Sequence, residues 1–168
     1  MARHLLAGLG RKWRTLRRQS AATLLLLGPA WALMGLASLV LRTVPLRRLA
    51  RFYGQDLGIA VWLPLITRAE ERRARNIRAA IGIAARYSPW RADCYPQALV
   101  ARLLLGAARV PHVLCFGLRR AEAGMQAHAW VSAGAVPVCG GAGFARYTLV
   151  RAFVSGARGA LSAPSSQS

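Results

Sequence analysis

The stretch SPWRADCYPQALVARLLLG, residues 88–106, decides the fold because it fixes where a central helix begins. Proline lacks a backbone N–H and fits only the first turn of a helix, so Pro96 requires the helix to begin within a residue or two of Cys94. The apolar run that follows predicts a buried helix that stops at Gly106. Cys94 therefore lies at the positive end of a helix dipole, where the nucleophilic thiolate is favoured. A small buried structural residue is the alternative interpretation of a free cysteine.

Helical and strand-like segments occur along the chain in an order typical of an α+β fold. Thr67-Arg68-Ala69-Glu70 has the spacing of a capping box, and the apolar residues after it predict an amphipathic helix over about residues 68–86. After Pro111 the sequence becomes rich in β-branched and aromatic residues, with glycine-containing turns between short segments. The predicted strands are 113–119, 126–132 and 146–153. This order predicts N-terminal helices and a Cys94 helix that packs on a short antiparallel sheet.

His128 is the candidate partner of Cys94. It stands mid-strand in QAHAWVS, where strand alternation places Trp130 on its own face and Ala129 on the other. A helix-start cysteine and a strand histidine, distant in sequence and adjacent in space, form the thiolate–imidazolium pair of cysteine hydrolases. A hydrogen-bonded structural histidine is the alternative, and the presence of Cys94 favours the catalytic interpretation.

The other cysteines and histidines have weaker claims to chemistry. Cys115 alternates within an apolar strand and is expected in the core, whereas Cys139 lies beside Gly140-Gly141 in a turn that could approach the site. His4 and His112 are expected to be bystanders. Three cysteines cannot all pair, and they show no CxxC spacing, so we expect a reducing cytoplasm and no metal site.

The chain is strongly basic and apolar. Its 168 residues carry 24 Lys+Arg against 5 Asp+Glu, a net charge of +19, and 55% of them are hydrophobic. A chain with this many apolar residues can bury enough surface to fold, so the protein as a whole is not expected to be disordered. The charge attracts phosphate, anionic lipid or acidic polypeptide. Because the sequence lacks helix-turn-helix, zinc-finger and RNP-type motifs, we expect no nucleic-acid partner.

Residues 21–41 form an uncharged apolar segment flanked by basic clusters at 11–18 and 42–51. It fits two short helices, broken at Gly28-Pro29, that pack on the protein or contact a membrane surface. It also fits a transmembrane helix, for which the basic residues on both sides give the positive-inside rule no orientation. A secretory signal is a third interpretation, but the apolar run exceeds a typical h-region and no convincing cleavage site follows, so the first interpretation is preferred. The predicted organisation is a basic and apolar helical segment, a compact domain and a flexible tail, at residues 1–63, 64–155 and 156–168.

Several segments together resemble the lasso-peptide biosynthesis B proteins. SPWRADCYPQALVARLLLGAARVPHVLCFGL (88–118), AHAWVSAGAVPVCGG (127–141) and YTLVRAF (147–153) look like the C-terminal region of these proteins. PLRRLARFYG (45–54) resembles the segment that precedes that region. B proteins belong to the transglutaminase-like, papain-like superfamily, so the resemblance implies a papain/transglutaminase-like core.

The resemblance implies a cysteine peptidase that removes the leader from a lasso-peptide precursor, with no cofactor. Cys94 is then the nucleophile, His128 the general base and later the acid, and backbone N–H groups at the start of the Cys94 helix stabilise the oxyanion. An asparagine-synthetase-like cyclase then closes the macrolactam ring. Residues 1–63 do not resemble the winged-helix recognition domain of some B proteins, so a separate precursor-recognition protein is the expected partner. The expected location is the cytoplasm, including the inner face of the membrane.

One departure from the family concerns the third catalytic residue. The family places an acid after the histidine, and residues 123–168 contain no Asp or Glu. Asp93, expected to cap the Cys94 helix, and Glu122 are the acids nearest the site in sequence. A Cys–His dyad oriented by a backbone carbonyl or a neutral side chain is one explanation. A catalytically weakened, membrane-associated scaffold protein is another, and an acyltransferase that uses the same pair is a third.

Overall fold

The structure, a computed structural model, describes residues 19–49, 52–59, 63–90, 92–122, 124–141 and 143–156. Its helices are α1 (Ala21–Thr43), α2 (Leu46–Leu49), α3 (Arg68–Arg86) and α4 (Cys94–Ala107). Its strands are β1 (Gln55–Gly58), β2 (His112–Ala121), β3 (Gly124–Ala133), β4 (Val136–Cys139) and β5 (Thr148–Ser155), with a 3-10 turn at Phe144–Arg146. The α+β class is confirmed. The basic cluster 11–18, His4 and residues 157–168 of the predicted tail lie outside the described residues.

The five strands form one antiparallel sheet in the order β1-β5-β2-β3-β4. The three strands predicted from sequence are present, each with shifted or longer bounds. β1 and β4 were not predicted. Gln55–Gly58 is short and shows no apolar alternation, and β4 contains Pro137, a residue that sheets accept mainly in edge strands.

The principal core lies between the helices and one face of the sheet. Leu114, Val131 and Phe153 contribute from the sheet, and buried residues of α1, α3 and α4 pack in the same cluster. The opposite face carries a second, smaller cluster around Cys115 and Trp130. Since Cys115 pairs with Trp130 and Gly117 with His128 in the β2–β3 register, His128 lies on this second face.

Helix α3 has the bounds and the cap that the sequence predicts. The Thr67 side chain accepts a hydrogen bond from the Glu70 N–H at 3.3 Å, and the Glu70 carboxylate accepts one from the Thr67 N–H at 2.8 Å. Ala74, Ile77 and Ile81 are buried along one side of the helix. Together these contacts fix the start of α3 and the face that it packs against the core.

Helix α1 corrects the prediction of a break at Gly28-Pro29, because it runs unbroken from Ala21 to Thr43 with Pro29 inside it. An interior proline costs about 3 kcal/mol through its lost hydrogen bond and ring clash. Packing on both sides of the proline offsets this cost: Thr23 before it is buried, and Ala30 and Met34 after it are fully buried. A break would pull one half away from the core.

Helix α1 is also long and apolar enough to cross a membrane, with mean hydropathy 2.1 and 22% of its most apolar window buried in the protein. Leu25, Leu36 and Leu39 are 78%, 56% and 60% exposed. By length and composition the helix fits a membrane span, a signal sequence or a core helix. Its burial against α3 fits the third of these, and its exposed leucines fit the first two.

Candidate active site

Cys94 is the first residue of α4, as the position of Pro96 predicts. The preceding Asp93 has extended backbone, and its side chain makes no capping hydrogen bond, so the expectation that it caps the helix is wrong. The start of α4 is held instead by Gln97, whose side-chain amide donates to the Ala92 carbonyl at 2.7 Å. The Cys94 thiol is half-buried and free. Because Asp93 does not cap, its carboxylate does not occupy the amide donors of the first turn.

His128 is held by the backbone of the turn after β4. Its Nε2 lies 2.8 Å from the carbonyl oxygen of Gly140. A carbonyl oxygen can only accept, so Nε2 must carry the proton in this bond and Nδ1 of the neutral ring keeps a lone pair. A backbone carbonyl therefore orients the imidazole, which is one of the arrangements that the missing acid left open.

Gly140 owes this role to the absence of a side chain. Its φ is +67°, in the left-handed region, and a Cβ there would lie 2.4 Å from the Ala129 carbonyl oxygen and 2.9 Å from Cα of Trp130. Only glycine allows the turn to approach β3 this closely. The close approach carries the Gly140 carbonyl to the imidazole.

Two aromatic rings fix the plane of the His128 imidazole. Tyr147 stacks on it with ring centroids 4.7 Å apart, and Trp130 lies at 6.0 Å in a nearly parallel orientation. Gly117, opposite His128 in β2, leaves the room for these rings, since a Cβ there would lie 2.9 Å from both Trp130 and Tyr147. Sequence reasoning missed Tyr147 and Gly117. The signal in the sequence was Gly117 itself, since a glycine inside a strand often marks a place where neighbouring groups approach the backbone closely.

Cys94 and His128 are associated with different faces of the sheet. Helix α4 packs on the principal core, where Tyr95 stacks on Phe116 with centroids 6.0 Å apart, while His128 belongs to the second face. Among the described residues, no hydrogen bond joins the Cys94 thiol to the imidazole. β4 pairs with β3 only from Val131 onward, so no described strand covers that side of β3 at His128.

The other two cysteines are buried. Cys115 is 3% exposed, which confirms it as a core residue, and burial raises the pKa of its thiol to about 11. Burial raises the pKa of Cys139 to about 12, partly opposed by a hydrogen bond to the Val131 backbone and reinforced by the charge of Cys94. Neither buried thiol is a plausible nucleophile near neutral pH.

His112 takes no part in the site. It is 1% exposed, and its Nδ1 donates to the Val110 carbonyl at 2.8 Å. Burial lowers the pKa of its imidazole, against the opposing effect of this hydrogen bond. His112 is the buried first residue of β2.

Among the described residues, no carboxylate makes a hydrogen bond or an ion pair with His128. The acids of the chain are Asp56, Glu70, Glu71, Asp93 and Glu122. Glu70 closes the capping box, Glu71 pairs with Arg75, and Asp56 lies 3.5 Å from Arg151. Within the described ranges, no group of three His, Cys, Asp or Glu side chains could hold a metal ion.

Comparison with known proteins gives one match. Residues 40–152 match the sequence profile of a protein family described as the transglutaminase-like superfamily. The matched region includes Cys94, His128 and every described strand up to Ala152. No curated protein and no solved structure matches the chain.

Proposed function

The chain belongs to the transglutaminase-like superfamily, and from that premise we propose that it is a cysteine peptidase with Cys94 as nucleophile and His128 as general base. The superfamily commonly includes cysteine proteases, and the observed α+β fold is compatible with such a hydrolase. The observation that carries the proposal is the hydrogen bond from His128 Nε2 to the Gly140 carbonyl. It leaves Nδ1 as the basic atom of the ring.

In the proposed reaction, His128 Nδ1 takes the proton of the Cys94 thiol and the thiolate attacks the scissile carbonyl carbon. The carbonyl π electrons move to oxygen, and the oxyanion is stabilised by backbone N–H groups of the first turn of α4. Collapse expels the amine, which receives the proton from the imidazolium, and leaves a thioester on Cys94. Water, deprotonated by His128, then hydrolyses the thioester and restores the thiol.

The proposal includes closure of the Cys94–His128 pair when substrate binds. Catalytic hydrogen bonds often tighten only in the Michaelis complex, so their absence before that stage does not exclude a dyad. The closure has to occur around the β3 edge beside Gly140, since the two side chains start on different faces. The Nε2 bond to Gly140 can persist throughout, because in the proposed reaction it is Nδ1 that takes the thiol proton.

The substrate we propose is a lasso-peptide precursor, cut at the junction of leader and core. Support comes from the resemblance of residues 88–118, 127–141 and 147–153 to the B proteins. The proposed partners are a separate precursor-recognition protein and an asparagine-synthetase-like cyclase. The proposed location is the cytoplasm, with contact at the inner membrane face through the exposed leucines of α1.

The test is leader release in vitro, with the full chain, a lasso-peptide precursor and a precursor-recognition protein, followed by mass spectrometry. We expect Cys94→Ala and His128→Ala each to abolish release, while the matched control Cys115→Ala, which removes a buried thiol that takes no part in the proposed reaction, keeps it. A Cys94→Ala protein that still released the core peptide would refute the mechanism. Cleavage of other peptides but not of the precursor would refute the substrate alone.

A second candidate function is a membrane-associated scaffold protein with weakened activity. The missing acid and the apolar exposed side of α1 favour it. This function predicts extraction from membranes only by detergent and no labelling of Cys94 by thiol-directed activity probes. Probe labelling of Cys94 that is lost in His128→Ala would contradict it.

A further inference from the structure

A cavity of about 460 Å³ lies between α1, α4 and the segment around Tyr53, away from Cys94 and His128. Helix α1 contributes Leu33 and Val40 to its wall, and α4 contributes Leu99. The volume falls within the range of roughly 300–1,000 Å³ typical of small-molecule sites. The mostly apolar wall fits a hydrocarbon group better than a polar one.

Arg102 is the one charged side chain in the described wall. Its Nε is buried without a hydrogen-bond partner, and among the described residues no salt bridge joins Arg102 to an acid. Burial raises the pKa of the neighbouring Tyr53 to about 12, reinforced by Tyr95 and opposed by Arg102, so Tyr53 stays uncharged at neutral pH. The wall therefore presents an uncompensated positive charge.

The cavity opens to the surface through an apolar rim. Leu36, Phe52 and Leu103 line it and are 56%, 59% and 52% exposed. Covering apolar surface that is now in contact with water would contribute about 25 cal/mol of favourable free energy for each Å² buried. An occupant that covers this rim with hydrocarbon and places an anion beside Arg102 would satisfy both features of the wall.

We propose that the cavity binds an anionic amphiphile, with its acyl chain between α1 and α4 and its carboxylate or phosphate on Arg102. A free fatty acid and an anionic membrane phospholipid share this chemistry, and the exposed apolar side of α1 would bring the cavity close to a lipid source. The site is separate from the proposed peptidase chemistry and does not depend on it.

The test is calorimetric titration of the full chain with monomeric laurate. We expect saturable binding to a single site that weakens at least about tenfold in Arg102→Gln, because the substitution removes the charge-assisted hydrogen bond to the anion. Arg72→Gln, which removes an exposed arginine of α3, is the matched control and should bind as the wild type does. Leu33→Trp, which fills the cavity and keeps every charge, should also lose binding.

Two further arms identify the source and the role of the charge. Phosphatidylglycerol vesicles that displace laurate, when phosphatidylcholine vesicles do not, would support a lipid occupant, and no displacement by either would support a free fatty acid. The proposal is overturned if laurate does not saturate, if Arg102→Gln and Arg72→Gln bind it equally, or if uncharged dodecanol binds as tightly. Thermal unfolding of each variant confirms that the protein tested is folded.

Discussion

Gly140→Ala should test whether the orientation of the His128 imidazole matters for activity, because it disturbs that orientation and leaves His128 in place. The added Cβ would lie 2.4 Å from the Ala129 carbonyl oxygen, so the turn must move by about 1 Å to reach an ordinary contact, and the Gly140 carbonyl moves with it. A displacement of about 1 Å in a catalytic constellation can reduce the rate by about 10²-fold. We therefore expect kcat/KM for leader release to fall by about that factor, with Cys94 and His128 both intact.

The same substitution should destabilise the protein. A left-handed backbone costs a residue with a side chain roughly 1–2 kcal/mol, and overpacking adds typically about 1–3 kcal/mol, so we expect a loss of about 2–5 kcal/mol. Gly124→Ala is the matched control, because Gly124 also has a positive φ, +111°, but an added Cβ there meets no atom within 4 Å. It should show backbone strain without a loss of activity.

Activity is measured at a temperature where circular dichroism shows both glycine variants folded. If folded Gly140→Ala keeps the wild-type kcat/KM, the Gly140 carbonyl does not orient the catalytic imidazole and the reasoning fails. Equal losses in Gly140→Ala and Gly124→Ala would assign the effect to backbone strain rather than to the position of the carbonyl.

Other predictions concern the cap, the thiols and the buried imidazole. Thr67→Ala should lower the free energy of unfolding by about 1 kcal/mol in urea titrations, because it removes the capping hydrogen bond of α3. Thr148→Ala, at an exposed position of β5, is the control and should not lower it. Equal effects of the two substitutions would show that the capping box does not stabilise the protein. Iodoacetamide near neutral pH should label Cys94 before the two buried cysteines, as peptide mass spectrometry would show, since burial raises the pKa of both others. Burial lowers the pKa of His112, so the unfolded chain binds its proton more readily and stability should fall as pH drops below about 6.5. His112→Phe should flatten that part of the stability curve, and an unchanged slope would contradict the assignment.

The sequence was sufficient to predict where a helix begins when a local capping or proline signal agreed with the packing of that helix. The Thr67–Glu70 spacing gave α3 its bounds, and Pro96 placed the start of α4 at Cys94. Both are signals in which a side chain or a missing N–H acts within one turn of the helix. At these positions the tertiary contacts agree with the local preference of the backbone.

Other features depend on contacts that the local sequence does not contain. Pro29 favours a break in α1, but burial of residues before and after it keeps the helix continuous. The orienting acceptor of His128 is a carbonyl that every residue carries, so no residue type could identify it. Only the turn that brings Gly140 beside Ala129 selects it, and that closeness arises from the pairing of β3 with β4.

The order of the strands has a consequence for biosynthesis. β5 is the last strand in chain order, yet it lies between β1 and β2 in the sheet. A nascent chain in which Cys94 and His128 have both been made therefore still lacks the strand that joins β1 to the others. Translation that terminates before Thr148 would leave a polypeptide with both candidate catalytic residues and an unfinished sheet, a substrate for chaperones and quality-control proteases rather than an enzyme.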